Sequence, residues 1–517
     1  MEGRPRPALL LRAAALALAQ LAVSPAALRT PEPERAALQC NVLAREPEGE
    51  SAAVLSRQPR WCPSSAQRGG DCAWQTGPES HGKLVKGFWA TTQCPLTPAA
   101  LASAYRPRGH EGARLRLRKK LRKMEHRPVN VTVIGNSMTY GRNSKRSWPE
   151  RLADLVQDLD LPMRVRNLGR PGTNSQWAAY RPDSASHHSD ADIVLIDYGL
   201  TDRQALLEEG DASLGLSVES YYRDLVEMLA ELPNKPAIVD IQTFDEVLLD
   251  SNRPSLNRDE GSSEQPTDNC KRVDVTKFHH WPVNKELNVP VISYTEAVCH
   301  SRRTFWMSSN SGADRDDADI THPGLITHDL LAHIVMGFFL DELGTVCSKG
   351  EVGEDFAQLG VRQPKDLRCL QHPLTAYTSD HGREHFKPVS VDTRMWTFGE
   401  DMKGNNKPGW WAFADAPATS ASSAPKSRLG DIAFQVETRQ GYIQVEYLGS
   451  YKGVGVASTW LGGADGRNAH KCQLNGRWGD GSSLSKFTLL KTDTRGNHTI
   501  WFRGESLKFK IMGITSC

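Results

Sequence analysis

The chain has 517 residues, 63 Lys and Arg against 61 Asp and Glu, a formal net charge of +2, 39% hydrophobic residues and 24% charged ones. That balance is ordinary for globular proteins and excludes disordered, collagen-like and coiled-coil classes; at roughly 150 residues per domain it predicts two or three domains. The near-neutral charge gives no electrostatic footing for nucleic acid as the main partner, and no apolar run reaches the ~20 residues that span a bilayer.

Arg4 and Arg6 precede an apolar stretch, Ala13 to Val23, followed by the small residues Ser24, Ala26 and Ala27. A basic start, a short apolar middle and a small-residue exit predict a secretory signal peptide over residues 1–27; the alternative is an amphipathic organelle-targeting peptide. Cysteine usage agrees with export. The ten cysteines are Cys40, Cys62, Cys72, Cys94, Cys270, Cys299, Cys347, Cys369, Cys472 and Cys517, an even number, and the first four lie in a Gly/Pro/Ser-rich stretch with no periodic core pattern. Disulfides are expected, with the pairing open. No CxxC pair occurs and no His completes zinc-ligand spacing, so neither metal nor cofactor is expected. Asn130 and Asn497 head Asn-x-Thr acceptors and are expected glycosylation sites on an exported chain.

Residues 28–128 form a cysteine-bearing region that ends in a basic helical segment, 114–127, with Leu115, Leu121 and Met124 among eight Lys and Arg residues. It reads as a solvated helix, or as a contact for an anionic glycan or membrane surface. Over 129–346 strand-like and helix-like segments alternate. Val131–Ile134, Met163–Leu168, Asp192–Asp197, Ala237–Gln242 and Pro290–Ser293 read as strands. Ser147–Leu159, Val218–Leu232 and Leu325–Leu343 read as helices, the first with Ser147 as N-cap and Glu150 at the capping-box position. The alternation predicts an α/β domain with a parallel sheet covered by helices on both faces. Over 347–517 short β-type runs separated by Gly, Asn and Asp turns predict an all-β, sandwich-like domain. That part is rich in tryptophan, and Trp410 and Trp411, in a Gly/Asn/Pro-rich stretch, are expected to stand exposed and stack on sugar; the bland alternative is that these indoles fill the core.

The chemistry-bearing residues fall at strand ends of the α/β domain, where open parallel sheets bind ligands. Gly135-Asn-Ser-Met-Thr-Tyr-Gly141 follows the first strand and places Ser137 on a tight turn between glycines. Asp319-Ile-Thr-His322 precedes the last helix, and a spacing of three lets Asp319 reach the His322 ring and hold its tautomer. These blocks, with Asn167-Leu-Gly-Arg-Pro-Gly-Thr173 and Gly199-Leu-Thr-Asp202 in the right order between them, resemble the SGNH/GDSL hydrolase superfamily of serine esterases and lipases over about residues 130–345. The resemblance implies a flavodoxin-like three-layer α/β/α domain, with Ser137 as nucleophile, His322 as base, Asp319 as orienting carboxylate, and Ser137, Gly172 and Thr201 around the oxyanion. Two positions depart from the family: Asn136 stands in place of Asp, and Thr201 in place of the Asn whose side chain donates to the oxyanion. Loss of one such donor costs ~3 kcal/mol, or roughly 10²- to 10³-fold in rate. The expectation is therefore a secreted serine esterase acting on an acylated small molecule or a glycan, O-acetyl groups among the candidates. A lipase or acyltransferase using the same triad, and a catalytically weak glycan-binding protein, are the alternatives.

Overall fold

The computed structural model describes residues 103–105, 111–181 without 142, 143 and 145, 188–208, 217–243, 276–299 without 277, 322–349 without 323, 369, 373–401, 407–413, and 430–517 without 452, 464–470, 478–482 and 493. All of them belong to the compact unit that spans 58–517. The expected leader, the first four cysteines and Asp319 lie outside the described residues.

Five strands, β1 (Val129–Gly135), β2 (Met163–Asn167), β3 (Ile193–Asp197), β4 (Ala237–Gln242) and β5 (Val291–Ser293), form a wholly parallel sheet in the order β2-β1-β3-β4-β5. This is the flavodoxin-like order, with the switch point between β1 and β3. The inner strands are buried on both faces, so β3 and β4 read as near-continuous apolar runs. The edge strand β2 alternates instead, burying Met163 while Arg164 points to solvent.

One face of the sheet is covered by α1 (Glu111–Arg122), α3 (Trp148–Asp158), α8 (Tyr294–Cys299) and α9 (Leu325–Lys349), whose Leu117, Leu152, Leu331 and Phe338 share one core. The other is covered by α4 (Ser175–Tyr180), α6 (Val218–Glu231) and α7 (Trp281–Glu286), where Tyr222, Leu225 and Val283 pack under the sheet. The four-residue α2 (Ser137–Tyr140) and α5 (Gly199–Glu208) leave the carboxyl ends of β1 and β3. The start of α3 follows its sequence signal: the Glu150 carboxylate accepts the Ser147 N–H at 2.8 Å.

Three cations of helix α1 are spent inside the fold: Arg118 Nε donates to Glu342 at 2.6 Å, Arg114 pairs with the same carboxylate at 3.3 Å, and Lys120 Nζ donates to the Asn234 carbonyl at 2.5 Å, while Lys119 and Arg122 stand exposed. Just beyond it, Lys123 and Arg127 hold the buried Asp192. Amphipathic spacing put Leu117 and Leu121 on the core face, and the flanking stems followed them.

The remainder is a β sandwich. One sheet runs β13 (Cys472–Asn475), β12 (Val456–Leu461), β15 (Gly496–Gly504), β10 (Asp431–Thr438), β7 (Ser390–Val391). The other runs β14 (Ser483–Lys491), β11 (Tyr442–Ser450), β16 (Lys508–Ser516), β9 (Pro408–Phe413), β8 (Trp396–Glu400), with β6 (Thr375–Thr378) also paired to β16. Phe434, Phe502, Ile443, Val445, Phe509 and Ile511 fill the space between them. Trp410 is part of this core, 2% exposed, with its Nε1 donating to the Phe386 carbonyl at 2.7 Å. The expected exposed Trp410–Trp411 pair is thus corrected: successive strand residues point to opposite faces, so β9 sends Trp410 inward and leaves Trp411 half-buried on the other side. Of the two glycosylation candidates, Asn497 is exposed at the start of β15, while Asn130 lies within β1 and donates to the Asp190 carbonyl at 3.2 Å.

Cys369 and Cys517 are disulfide-bonded across 148 positions, joining the start of the sandwich segment to the last strand, and Cys472 is a free, exposed thiol. Closing so long a loop removes much unfolded-chain entropy. The Cys369→Ser/Cys517→Ser double variant should lose about 2–5 kcal/mol of stability in denaturant titration; an unchanged midpoint would show that the bond contributes nothing.

Candidate active site

The site is built at the carboxyl ends of β1 and β3. Asn136 follows β1, and its Oδ1 accepts the Met138 N–H at 2.8 Å, capping α2 so that Ser137 opens the helix. Gly135 is required here because a Cβ would come within 2.6 Å of the Asp197 carbonyl. The turn therefore lies directly on β3, and the Asn136 N–H donates to that same carbonyl at 3.2 Å.

The Asp197 side chain holds the turn from behind. Its carboxylate accepts from Thr139 Oγ1 at 2.8 Å, Trp148 Nε1 at 3.1 Å and Thr243 Oγ1 at 2.8 Å, tying together α2, α3 and the end of β4. Burial raises its pKa to about 6, against the pull of these donors. Sequence reading passed over Asp197, although a carboxylate closing an apolar strand was a visible signal. Asn167 locks the neighbouring loop: its Nδ2 donates to the Thr139 carbonyl at 2.9 Å, and its Oδ1 accepts the Gly169 N–H at 2.8 Å.

His322, ahead of α9, brings Nε2 to 2.8 Å from Ser137 Oγ, from 185 positions away. Both side chains are buried, each 6% exposed. His328, one turn into α9, is a packing residue whose Nδ1 accepts the Trp148 N–H at 3.2 Å. Burial and the nearby His322 lower its pKa to about 3, so it stays neutral.

Ser137 N–H sits in the first turn of α2, where helix amides lack an intrahelical partner. Among the described residues neither this N–H nor that of Gly172 is donated to a protein acceptor. Gly172 has φ +69°, a conformation that favours glycine. Thr201 does not join them. Its Oγ1 donates to the Tyr198 carbonyl at 3.1 Å and accepts from Asn136 Nδ2 at 3.2 Å, so the hydroxyl proton expected at the oxyanion is committed to the backbone.

Beside this lies a cluster the sequence did not announce. His280 Nε2 is 2.8 Å from Asp202 Oδ2, and its Nδ1 is 3.3 Å from Asp240. Tyr222 stacks on the ring at 3.7 Å, Asn284 Nδ2 donates to Asp240 at 2.7 Å, and the second Asp202 oxygen accepts the Ser175 N–H at 2.9 Å. Burial disfavours the imidazolium, but the two carboxylates outweigh it and raise the pKa from 6.5 to about 9. Asp202, His279 and His280 bring donor atoms within 4.8 Å of one another. Through the bonds of His280 to Asp202 and Asp240 the group forms a charge network linking α5, β4 and α7. Phe278 and His279 form part of its rim: their rings lie 4.9 and 4.5 Å from His280, and a Cβ on Gly199 would meet the Phe278 ring at 2.6 Å.

No family model and no curated protein matches this chain. Among solved structures it is similar to a two-domain esterase (CEX) active on acetylated mannans, at 16% identity over 79% of this chain and 96% of that one, with a TM-score of 0.48. It is also similar to a catalytic mutant of Axe2, an acetylxylan esterase from Geobacillus stearothermophilus, at 18% identity over 42% of this chain and 95% of that one, TM-score 0.28. A third is the lipase Lip_vut3 from goat rumen metagenome, at 14% identity over 44% and 100%, TM-score 0.27. Read on its own geometry, the chain carries a serine–histidine pair at the carboxyl edge of a flavodoxin-like sheet, with a β sandwich attached.

A folded-state His280 pKa above its unfolded value means that its contribution to stability is complete below about pH 6.5 and is lost as pH rises through about 9. The wild-type Tm should fall across that window, and His280→Gln should start lower and flatten that part of the curve. A wild-type Tm that is level from pH 6.5 to 9 would exclude the bridged imidazolium.

Proposed function

We propose that the protein is a serine hydrolase of acyl esters, and the observation that carries this is the 2.8 Å contact between Ser137 Oγ and His322 Nε2. Ser137 Oγ attacks the acyl carbonyl as His322 Nε2 takes its proton. The negative oxygen of the tetrahedral intermediate is met by the N–H groups of Ser137 and Gly172. Collapse expels the alcohol, which receives the proton from His322 and leaves an acyl-Ser137. Water then attacks, again with His322 as base, releasing the carboxylic acid and restoring the serine. Asp319, three residues before His322, is the carboxylate we assign to hold the imidazole tautomer.

We assign this activity to the secretory pathway on the signal peptide expected over residues 1–27. The glycan part of the expectation rested on export and on the β domain, whose tryptophans were to supply the sugar contact. With Trp410 in the sandwich core, export alone supports it, so acetylated glycans enter the test beside short-chain aryl esters and lipid esters as one substrate class among three.

In the full-length protein, fluorophosphonate should label the wild type, Ser137→Ala should not be labelled, and His322→Ala should label and hydrolyse at least ~10³-fold more slowly. Undiminished labelling of Ser137→Ala would remove Ser137 from the mechanism. A wild type that neither labels nor hydrolyses any of the three substrate classes would overturn the hydrolase reading and favour a binding protein.

Thr201 gives a separate test. Acting as an oxyanion donor it would cost roughly 10²- to 10³-fold in kcat when replaced by Val. The bonds it makes predict instead that Thr201→Val loses about 1–3 kcal/mol of stability by stranding the Asn136 amide. Its kcat, in steady-state ester hydrolysis, should stay within about tenfold of wild type.

A further inference from the structure

The loop that carries Gly172 is gripped by the β sandwich. Asp380, in the short turn after β6, receives Arg170 and Arg181 on one carboxylate: Arg170 donates to Oδ1 at 2.5 Å, and both guanidiniums reach Oδ2. These two arginines flank the loop and helix α4, and both lie over the same indole, Trp177, at 5.1 and 4.6 Å. The sandwich adds a backbone bond, from Ser485 N–H to the Gly172 carbonyl at 2.7 Å. Ser485 Oγ in turn donates to Glu446 at 2.7 Å, a second acid whose charge faces Arg170 and Arg181. The fit is close: a Cβ on Gly172 would stand 2.5 Å from the Ser483 carbonyl.

On the other side the same loop is fixed to the three-layer part. Arg170 N–H donates to the Gly135 carbonyl at 2.8 Å, Thr173 Oγ1 donates to the Arg170 carbonyl at 2.8 Å, and Asn174 caps α4 by accepting the Trp177 N–H at 2.9 Å. One end of the loop is therefore tied to the strand that delivers Ser137, and the other face to the sandwich. Burial works against ionisation of Asp380, yet the two guanidiniums hold its pKa at about 2, so the pair stays charged across the ordinary pH range.

We propose that the β sandwich takes part in catalysis, with Asp380 as a positioning residue that, through Arg170 and Arg181, holds the 168–174 loop so that the Gly172 N–H meets the oxyanion. This rests on the serine-hydrolase reading above. It gives the second part of the chain a role that needs no sugar: the clamp keeps a donor preorganised, and preorganised donors act on the transition state more than on the bound substrate.

The test uses the full-length protein and a short-chain aryl ester. Asp380→Asn keeps the shape and removes the charge. Its kcat should fall roughly 10- to 100-fold with KM nearly unchanged, and Asp380→Glu should recover part of the loss. Hydrogen exchange should quicken at the Arg170 and Ser485 amides, which bond across the loop, and stay level in the core of the parallel sheet. An active wild type whose Asp380→Asn variant keeps its kcat, or loses activity with faster exchange throughout the chain, overturns the positioning role. A wild type that neither labels with fluorophosphonate nor hydrolyses overturns the hydrolase reading and the catalytic part of this one. In that case unchanged exchange at Arg170 and Ser485 in Asp380→Asn would discard the clamp as well.

Discussion

The contact on which the rest of the site depends is the seating of the Ser137 turn against the end of β3. A side chain at 135 would collide with the β3 backbone, so the approach needs glycine. Once the turn is that close, the buried Asp197 carboxylate can be satisfied by donors from three separate elements. A buried carboxylate with fewer partners would be costly. Its full set of donors makes the position of Ser137 a shared property of α2, α3 and β4 rather than of one loop. His322 then needs only to be delivered by α9, which packs on α3, the helix that Trp148 anchors to Asp197.

Elements with strong periodic signals were legible in the sequence: β3 and β4 as apolar runs, and α3 from its capping box and its buried Leu152, Leu155 and Val156. The short helices α4 and α7 were not, because six residues show less than two turns of period. Strand β10 carries a clean alternation of Ile432, Phe434 and Val436 toward the sandwich core. Ser137 and His322 were found because local sequence fixes their turn and their helix start. The Asp380 clamp could not be, since its partners Arg170 and Arg181 lie 210 and 199 positions away and no local pattern records such a pairing. The tryptophans misled for a different reason: composition says that indoles are present, and only the pleat decides which face each one takes.

The same limit applies to charge. The basic segment 114–127 reads as a surface feature when its cations are counted, yet several of them are met by groups from distant elements, such as Glu342 in α9 and Asp192 before β3. Likewise His280 looks ordinary in sequence, and its imidazolium is favoured only because Asp202 and Asp240 converge on it from α5 and β4. Sheet closure, not sequence proximity, makes both groups. Asp202 matters doubly, since its other oxygen receives the first amide of α4 and so connects the charge network to the loop that holds Gly172.

The two departures from the family blocks also look different once paired. Taken singly, Asn136 removes a carboxylate and Thr201 removes an amide donor. In the structure they face one another: the Asn136 amide donates to the Thr201 hydroxyl, and that hydroxyl passes its own proton to the Tyr198 carbonyl. An Asp at 136 would offer an acceptor where an amide at 201 would offer a donor; with Asn and Thr the polarity of the contact is reversed while the bond is kept. On the hydrolase reading proposed above, what the pair gives up is a side-chain donor at the oxyanion, which leaves that charge to the backbone N–H groups of Ser137 and Gly172. That dependence is why the hold on the Gly172 loop matters more in this chain than it would in one that kept the third donor.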